Sequence, residues 1–181
     1  FFGARERLVY KNNQTHYTDQ SGQTHSLDQD PLTYLQNRYA SIDKTPYKDL
    51  AKKLGVGFVD GFIGYIGYDA VKIFEPRLRS CMDSLHDPIG IADIDLIRPR
   101  LVCVFSHKTN RLTLLTFDPS LVGRLDEIVN HLKEPHHYIP MKTTHIDAKN
   151  GNFAFDKKTF FEMIARSKEM IESGDVFQIL M

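Results

Sequence analysis

The chain has 181 residues, 41% of them hydrophobic and 25% charged, which suffices for one core, or for one domain plus part of a second. Lys plus Arg and Asp plus Glu both number 23, and the positive charges are scattered, with Lys52-Lys53 the longest cluster. Such a balance argues against an electrostatic grip on nucleic acid or on an anionic membrane, and it reads as a solvated mixed surface.

The first elements are short and β-prone. Leu8-Val9-Tyr10-Lys11 and Thr15-His16-Tyr17-Thr18 flank Asn12-Asn13-Gln14, and Asn tolerates the positive φ of a tight turn, so a hairpin is predicted. Ser21-Gly22 marks a second turn. Asp30-Pro31 supplies an N-cap and a first-turn proline, and Leu32, Leu35 and Tyr39 continue a helix to about Ala40. Ser41 to Lys53 is polar and carries no clear pattern, and Gly55 to Val71 is rich in glycine and aromatics. Glu75 to Pro99 reads as a long irregular stretch with three prolines.

Arg100–Ser106 and Leu112–Phe117 are the clearest strand pair, predicted to run antiparallel through a loop at 107–111, with both faces largely covered. Asp118 caps a helix whose Leu121, Val122, Leu125, Ile128, Val129 and Leu132 form one apolar stripe. Glu134 to Gly151 is a polar linker. Asp156 then caps a last helix, with Phe160, Met163, Ile164, Ser167, Met170 and Ile171 on one face and Gly174 at its end. Asp175 to Met181 is predicted to open a strand. The chain starts inside a strand without Met and stops in mid-strand, so a truncated protein is expected. The predicted domains are 1–150, and 151–181 as the start of a second.

Two segments carry a family signature. Gly61-Phe62-Ile63-Gly64-Tyr65-Ile66-Gly67-Tyr68-Asp69-Ala70-Val71, followed by Phe74-Glu75-Pro76, resembles a motif of anthranilate synthase large subunits. Ser167 to Gln178, with its Gly174-Asp175-Val176-Phe177-Gln178 end, resembles the segment that opens their chorismate-binding half. The early Phe2-Gly3-Ala4 strand is a weaker match. The resemblance implies an α+β fold of antiparallel-rich sheets flanked by helices, part of a layered sandwich. It implies a cytoplasmic parent enzyme of tryptophan biosynthesis that uses chorismate, Mg²⁺ and ammonia from a glutamine amidotransferase subunit, adding the amine to the ring and eliminating pyruvate. Chorismate and tryptophan would be its small-molecule ligands. Aminodeoxychorismate synthase is the alternative, and a separate regulatory or binding module without catalysis is another.

The glycines at 61, 64 and 67 do not follow the Gly-x-Gly-x-x-Gly nucleotide loop. Glycine in a strand pattern marks close packing, so Phe62, Tyr65 and Tyr68 are expected to pack over the glycine positions and Asp69 to cap the next segment. A direct ligand role for Tyr65 or Asp69 is the alternative. The chain departs from the family in having Lys53 to Asp60 where a Gly-Gly stretch is usual, and it lacks the upstream Leu-Glu-Ser feedback motif.

The family's metal-binding glutamates and its catalytic His and Glu match no residue here, so catalytic, cofactor-binding and metal residues are all assigned as none, with the Mg²⁺ ligands outside this chain. The other candidates are weak. Cys81 and Cys103 lack zinc-ligand or CxxC spacing and suit a reducing cytosol. His136-His137 reads as exposed decoration and His107 as a hairpin-loop residue. Asp93 and Asp95 are neighbours without a visible pocket. No apolar run approaches the ~18 residues of a membrane span, and no signal peptide is visible.

Overall fold

The computed structural model describes residues 2–135, 137–142 and 153–180, in two compact units, Phe1–Pro135 and His136–Met181. The first unit is built on an antiparallel sheet of six strands: β1 (Phe2–Lys11), β2 (Gln14–Thr18), β3 (Thr24–Leu27), β4 (Ile63–Ile66), β5 (Ile94–Ser106) and β6 (Arg111–Thr116). The order is β3-β2-β1-β5-β4, with β6 also on β5. Helices α1 (Pro31–Ala40), α2 (Thr45–Leu54), α3 (Val71–Phe74), α4 (Arg79–Met82) and α5 (Val122–Lys133) complete it. The expected α+β class, antiparallel and helix-flanked, is what the chain adopts.

Local chemistry explains most boundaries. Asn12 and Asn13 take φ of 51° and 60° in the two-residue turn between β1 and β2, as that turn requires. Gly22 bends the chain between β2 and β3 with φ 86°. Asp30 accepts hydrogen bonds from the Leu32 and Thr33 amides, at 3.1 and 2.8 Å, and starts α1. Asp118 accepts from the Ser120 amide at 2.9 Å, at the head of a 3-10 turn that leads into α5.

Several elements were not expected, among them α4, inside the stretch 75–99 that reads as irregular. β3 pairs with β2 from Thr15↔Leu27 to Thr18↔Thr24. Helix α2 fills the polar stretch, with Tyr47, Leu50, Ala51 and Leu54 packed on the cluster of Val59, Val102 and Leu115. A second cluster, Leu8, Tyr10, Tyr17, Ala70, Ile94 and Leu96, is covered by Leu32, Tyr34 and Leu35 of α1.

Strand β5 begins six residues earlier than predicted and runs through Pro99. Proline has no N–H for the ladder and belongs at strand starts, edges or bulges. Here β1 supplies the bulge: Ala4 faces Pro99 and Glu6 faces Arg98, so Arg5 has no partner on β5. The β5–β6 pairing, from Leu101↔Thr116 to Ser106↔Arg111, is as predicted. Its far end is less covered than expected, with Phe105 50% and Leu112 40% exposed.

Between the two apolar clusters lies a buried charged group. Glu6 accepts from Arg98 and Arg38, at 2.9 and 2.8 Å on Oε1, and from the Tyr17 hydroxyl at 2.7 Å. Arg98 also donates to Asp60 at 2.9 Å. Burial alone would raise the Glu6 carboxyl, but the hydrogen bonds from Arg38, Tyr17, Gln20 and Arg98 outweigh it and bring it down to about 2. Burial and the bond to Glu6 push the Tyr17 hydroxyl upward.

In the second unit α6 (Lys157–Glu172) is capped by Asp156, which accepts from the Thr159 amide at 2.7 Å. Gly174 closes it with φ 81°. The strand predicted from Val176 is absent: residues 176–180 are coil, with Phe177 94% and Leu180 95% exposed. A strand exists only by pairing, and no strand of this unit offers an edge among its described residues. The Glu134 to Gly151 linker falls largely outside the described residues, as do His136 and Met181.

Candidate functional site

The glycine-tyrosine segment runs from the edge strand β4 into a 3-10 turn, Tyr68–Ala70, and then α3. Gly64 and Gly67 serve backbone contact, whereas a Cβ on Gly61 would meet the Phe58 ring at 3.1 Å. A Cβ on Gly64 would lie 1.9 Å from the Asp95 carbonyl oxygen of β5, and one on Gly67 would lie 3.2 Å from that of Asp93. The Gly67 N–H donates to this same Asp93 oxygen at 2.7 Å. The aromatics behave differently from expectation. Phe62 packs on the core, whereas Tyr65 is partly exposed, its hydroxyl donating to the Ala92 carbonyl at 3.0 Å, and Tyr68 is 88% exposed. Gly64 and Gly67 thus admit the neighbouring backbone, and the rings of Tyr65 and Tyr68 do not cover them. Nor does Asp69 cap the following helix, which starts from Ala70 with no side-chain cap.

Asp69 instead borders an open cleft of about 460 Å³ shared with Lys11, Asn13, Lys72, Asp83 and Asp93. The β1–β2 turn forms one wall, and the segment after α4 forms another. Lys72 is the centre of the charge pattern. Its ammonium lies 3.1 Å from Asp83 Oδ1 and 3.1 Å from Asp93 Oδ2, with the side chain 10% exposed. Burial works to lower its pKa, and the two carboxylates outweigh that and raise it. Asp83 also accepts from Asn13 Nδ2 at 2.9 Å, and Asn13 together with Lys72 holds its carboxyl below the ordinary range. Asp87 is lowered chiefly by the Gly90 amide, 2.8 Å away. Lys11 donates to the Gly90 carbonyl.

Asp93 and Asp95 therefore do not work as an acid–base pair. Asp93 serves Lys72, while Asp95 holds Arg7 in a two-point contact at 2.9 and 2.5 Å. Among the described residues no group of three or more His, Cys, Asp or Glu converges to hold a metal ion, and in this cleft the Lys72 ammonium bridges the carboxylates. The residues of this cleft do not fit Mg²⁺. Elsewhere, the His107 ring meets Phe105 edge-on at 4.9 Å, and Cys81 and Cys103 are free thiols. Sequence reasoning missed Lys72, Asn13 and Asp83. Only the place of Lys72, one residue past the motif, hinted at them.

The comparisons with known proteins agree with this architecture. Residues 2–181 match the family described as chorismate binding enzyme. Anthranilate synthase component 1 of Acinetobacter calcoaceticus is 32% identical over 182 residues, covering 96% of this chain and 34% of that protein. The protein of the same name from Thermus thermophilus is 31% identical over 156 residues, covering 84% of this chain and 31% of its own length. The fold resembles the crystal structure of anthranilate synthase component I from Streptococcus pneumoniae, with a TM-score of 0.67 at 19% identity over 96% of this chain and 38% of that one. The chain spans about a third of the length of the curated relatives it matches.

Proposed function

This chain belongs to the chorismate binding enzyme family, and from that premise we propose that it forms the sheet scaffold of an anthranilate synthase component I rather than its reacting centre. The parent enzyme would convert chorismate and ammonia to anthranilate and pyruvate, with ammonia delivered by a glutamine amidotransferase subunit and with Mg²⁺ held by residues that this chain does not supply. The names of the relatives favour anthranilate over aminodeoxychorismate as the product.

One observation carries the scaffold reading. Two glycines of the motif and the lysine that follows it are committed to structure: Gly64 admits the backbone of β5, Gly67 that of Asp93 just before it, and Lys72 ties α3 to Asp83 and Asp93. General acid–base work needs a group free to exchange a proton with substrate near neutral pH. The carboxylates of this cleft whose pKa is displaced, Asp83 and Asp87, are moved downward and away from that range. Orientation and charge stabilisation must act together on chorismate, and neither replaces a missing proton donor.

The test is anthranilate fluorescence with the chain at high concentration, chorismate, and excess ammonium and Mg²⁺. No product above the enzyme-free rate is expected. Turnover that survives repurification would overturn the scaffold reading and locate a complete reacting centre within these residues.

A further inference from the structure

We propose that Arg5 forms the floor of a binding site for a small oxyanion, a carboxylate or a phosphate, in the cleft beside the Ser21-Gly22 turn. The bulge creates the opportunity. Consecutive strand residues point to opposite faces, but at a bulge two neighbours turn to the same side. Arg5 and Glu6 accordingly both reach the buried charged group, Glu6 through Arg98 and Arg5 through Asp60.

The acceptors there are already taken. Glu6 Oε1 accepts from Arg38, Arg98 and Gln20, and Oε2 from Arg38 and Tyr17. Asp60 holds Arg98 through both oxygens, at 2.9 and 3.0 Å to Nε. Arg5 is left one long contact to Asp60, at 3.4 Å. Its side chain is 14% exposed, yet its Nε has no acceptor, alone among the buried side-chain nitrogens and oxygens of the described residues. Three guanidinium groups thus face two carboxylates. A buried donor normally finds a partner, and guanidinium matches carboxylate and phosphate geometry.

The cleft of about 440 Å³ next to Arg5 is lined by Gln20, Ser21, Arg100 and Phe117 among others. Its other carboxylates do not neutralise Arg5. Asp118 is bound to Arg100 and to Ser120, and Asp19 to Ser21, Gln23 and His25. The Phe117 ring, 5.9 Å from the Arg5 guanidinium carbon, forms an apolar wall that favours a desolvated contact. An oxyanion placed here would supply the missing charge and the missing acceptor together.

Thermal unfolding of the full chain is followed against inorganic phosphate and, separately, against acetate, with NaCl holding the ionic strength constant. A ligand of the native state raises the melting temperature along a saturation curve. Saturation by phosphate alone identifies a tetrahedral oxyanion, and saturation by acetate alone a carboxylate. Either curve should vanish in Arg5→Gln and persist in Arg124→Gln, a surface arginine paired with Glu127. Saturation by neither ion, or equal curves in Arg5→Gln and wild type, overturns the proposal. If Arg5→Gln does not fold, the Arg5 Nε–H resonance of the wild-type protein is titrated with phosphate and acetate. A saturable shift supports the site, and an unmoved resonance overturns it.

Discussion

Replacing Gly64 by Ala should be far costlier than the same change at Gly67 or Gly57. At Gly64 the added Cβ meets three backbone atoms of one β5 peptide group: Asp95 O at 1.9 Å, Asp95 C at 2.9 Å and Leu96 Cα at 3.0 Å. None of these atoms is the end of a flexible side chain, so β4 must move away from β5. That movement threatens the four facing pairs from Ile63↔Ile97 to Ile66↔Ile94. Overpacking costs ~1–3 kcal/mol, and each ladder hydrogen bond lost adds ~1 kcal/mol. We expect ~3 kcal/mol in all, a fall of roughly 6–12 °C in Tm for a chain of this length. At Gly67 the nearest atom is 3.2 Å away and a small shift absorbs it, for ~1 kcal/mol or less. At Gly57 nothing lies within 4 Å, so Ala should be neutral or slightly stabilising. Urea denaturation followed by circular dichroism gives all three values. A Gly64→Ala cost within ~0.5 kcal/mol of the parent, or a larger cost at Gly67, would refute the backbone-contact account.

The Glu6 carboxyl is depressed from 4.5 to about 2, so its contribution is fully present above pH 4.5 and is lost as the pH falls toward 2. That contribution is on the order of 3 kcal/mol. Glu6→Gln should flatten the stability profile in that window while lowering stability at neutral pH, and an unchanged acid limb in the variant would contradict the assignment. Tyr65→Phe removes one hydrogen bond, to the Ala92 carbonyl, from a partly exposed ring. Its cost should stay below ~1 kcal/mol in the same urea titration, and a larger loss would give the hydroxyl a role beyond that contact.

The elements that could be read in advance are those whose cause is local. Asn12-Asn13, Asp30-Pro31, Asp118 and Asp156 each set a turn or a cap within four residues of themselves. Helix α2 had such signals as well: Tyr47, Leu50, Ala51 and Leu54 lie at helical spacing, and Gly55 ends the helix with φ 66°. The charged residues between them hid that stripe. Strand β5 was misjudged because Pro99 looks like a stop, and the bulge that accommodates it is formed by Ala4 to Glu6, far away in the chain. The same distance hid the charged group, whose Glu6 and Arg98 lie 92 positions apart. Val176 to Leu180 is β-prone, but pairing decides whether a strand forms, and pairing is not written in the segment itself.

The pairing of β1 with β5 also sets the tempo of folding. β1–β2, β2–β3 and β5–β6 are hairpins that close within a few residues and form in roughly 1–10 μs. The central seam joins Phe2 to Leu101 and Tyr10 to Ile94, so it must wait for a loop of about ninety residues, and such non-local contacts slow folding. During synthesis at ~5–20 residues per second, β1 would stand with an open edge for roughly 5–20 seconds before β5 exists to cover it. Arg7 and Lys11, on either side of Leu8-Val9-Tyr10, place charge along that waiting edge, the kind of composition that discourages pairing with the wrong strand.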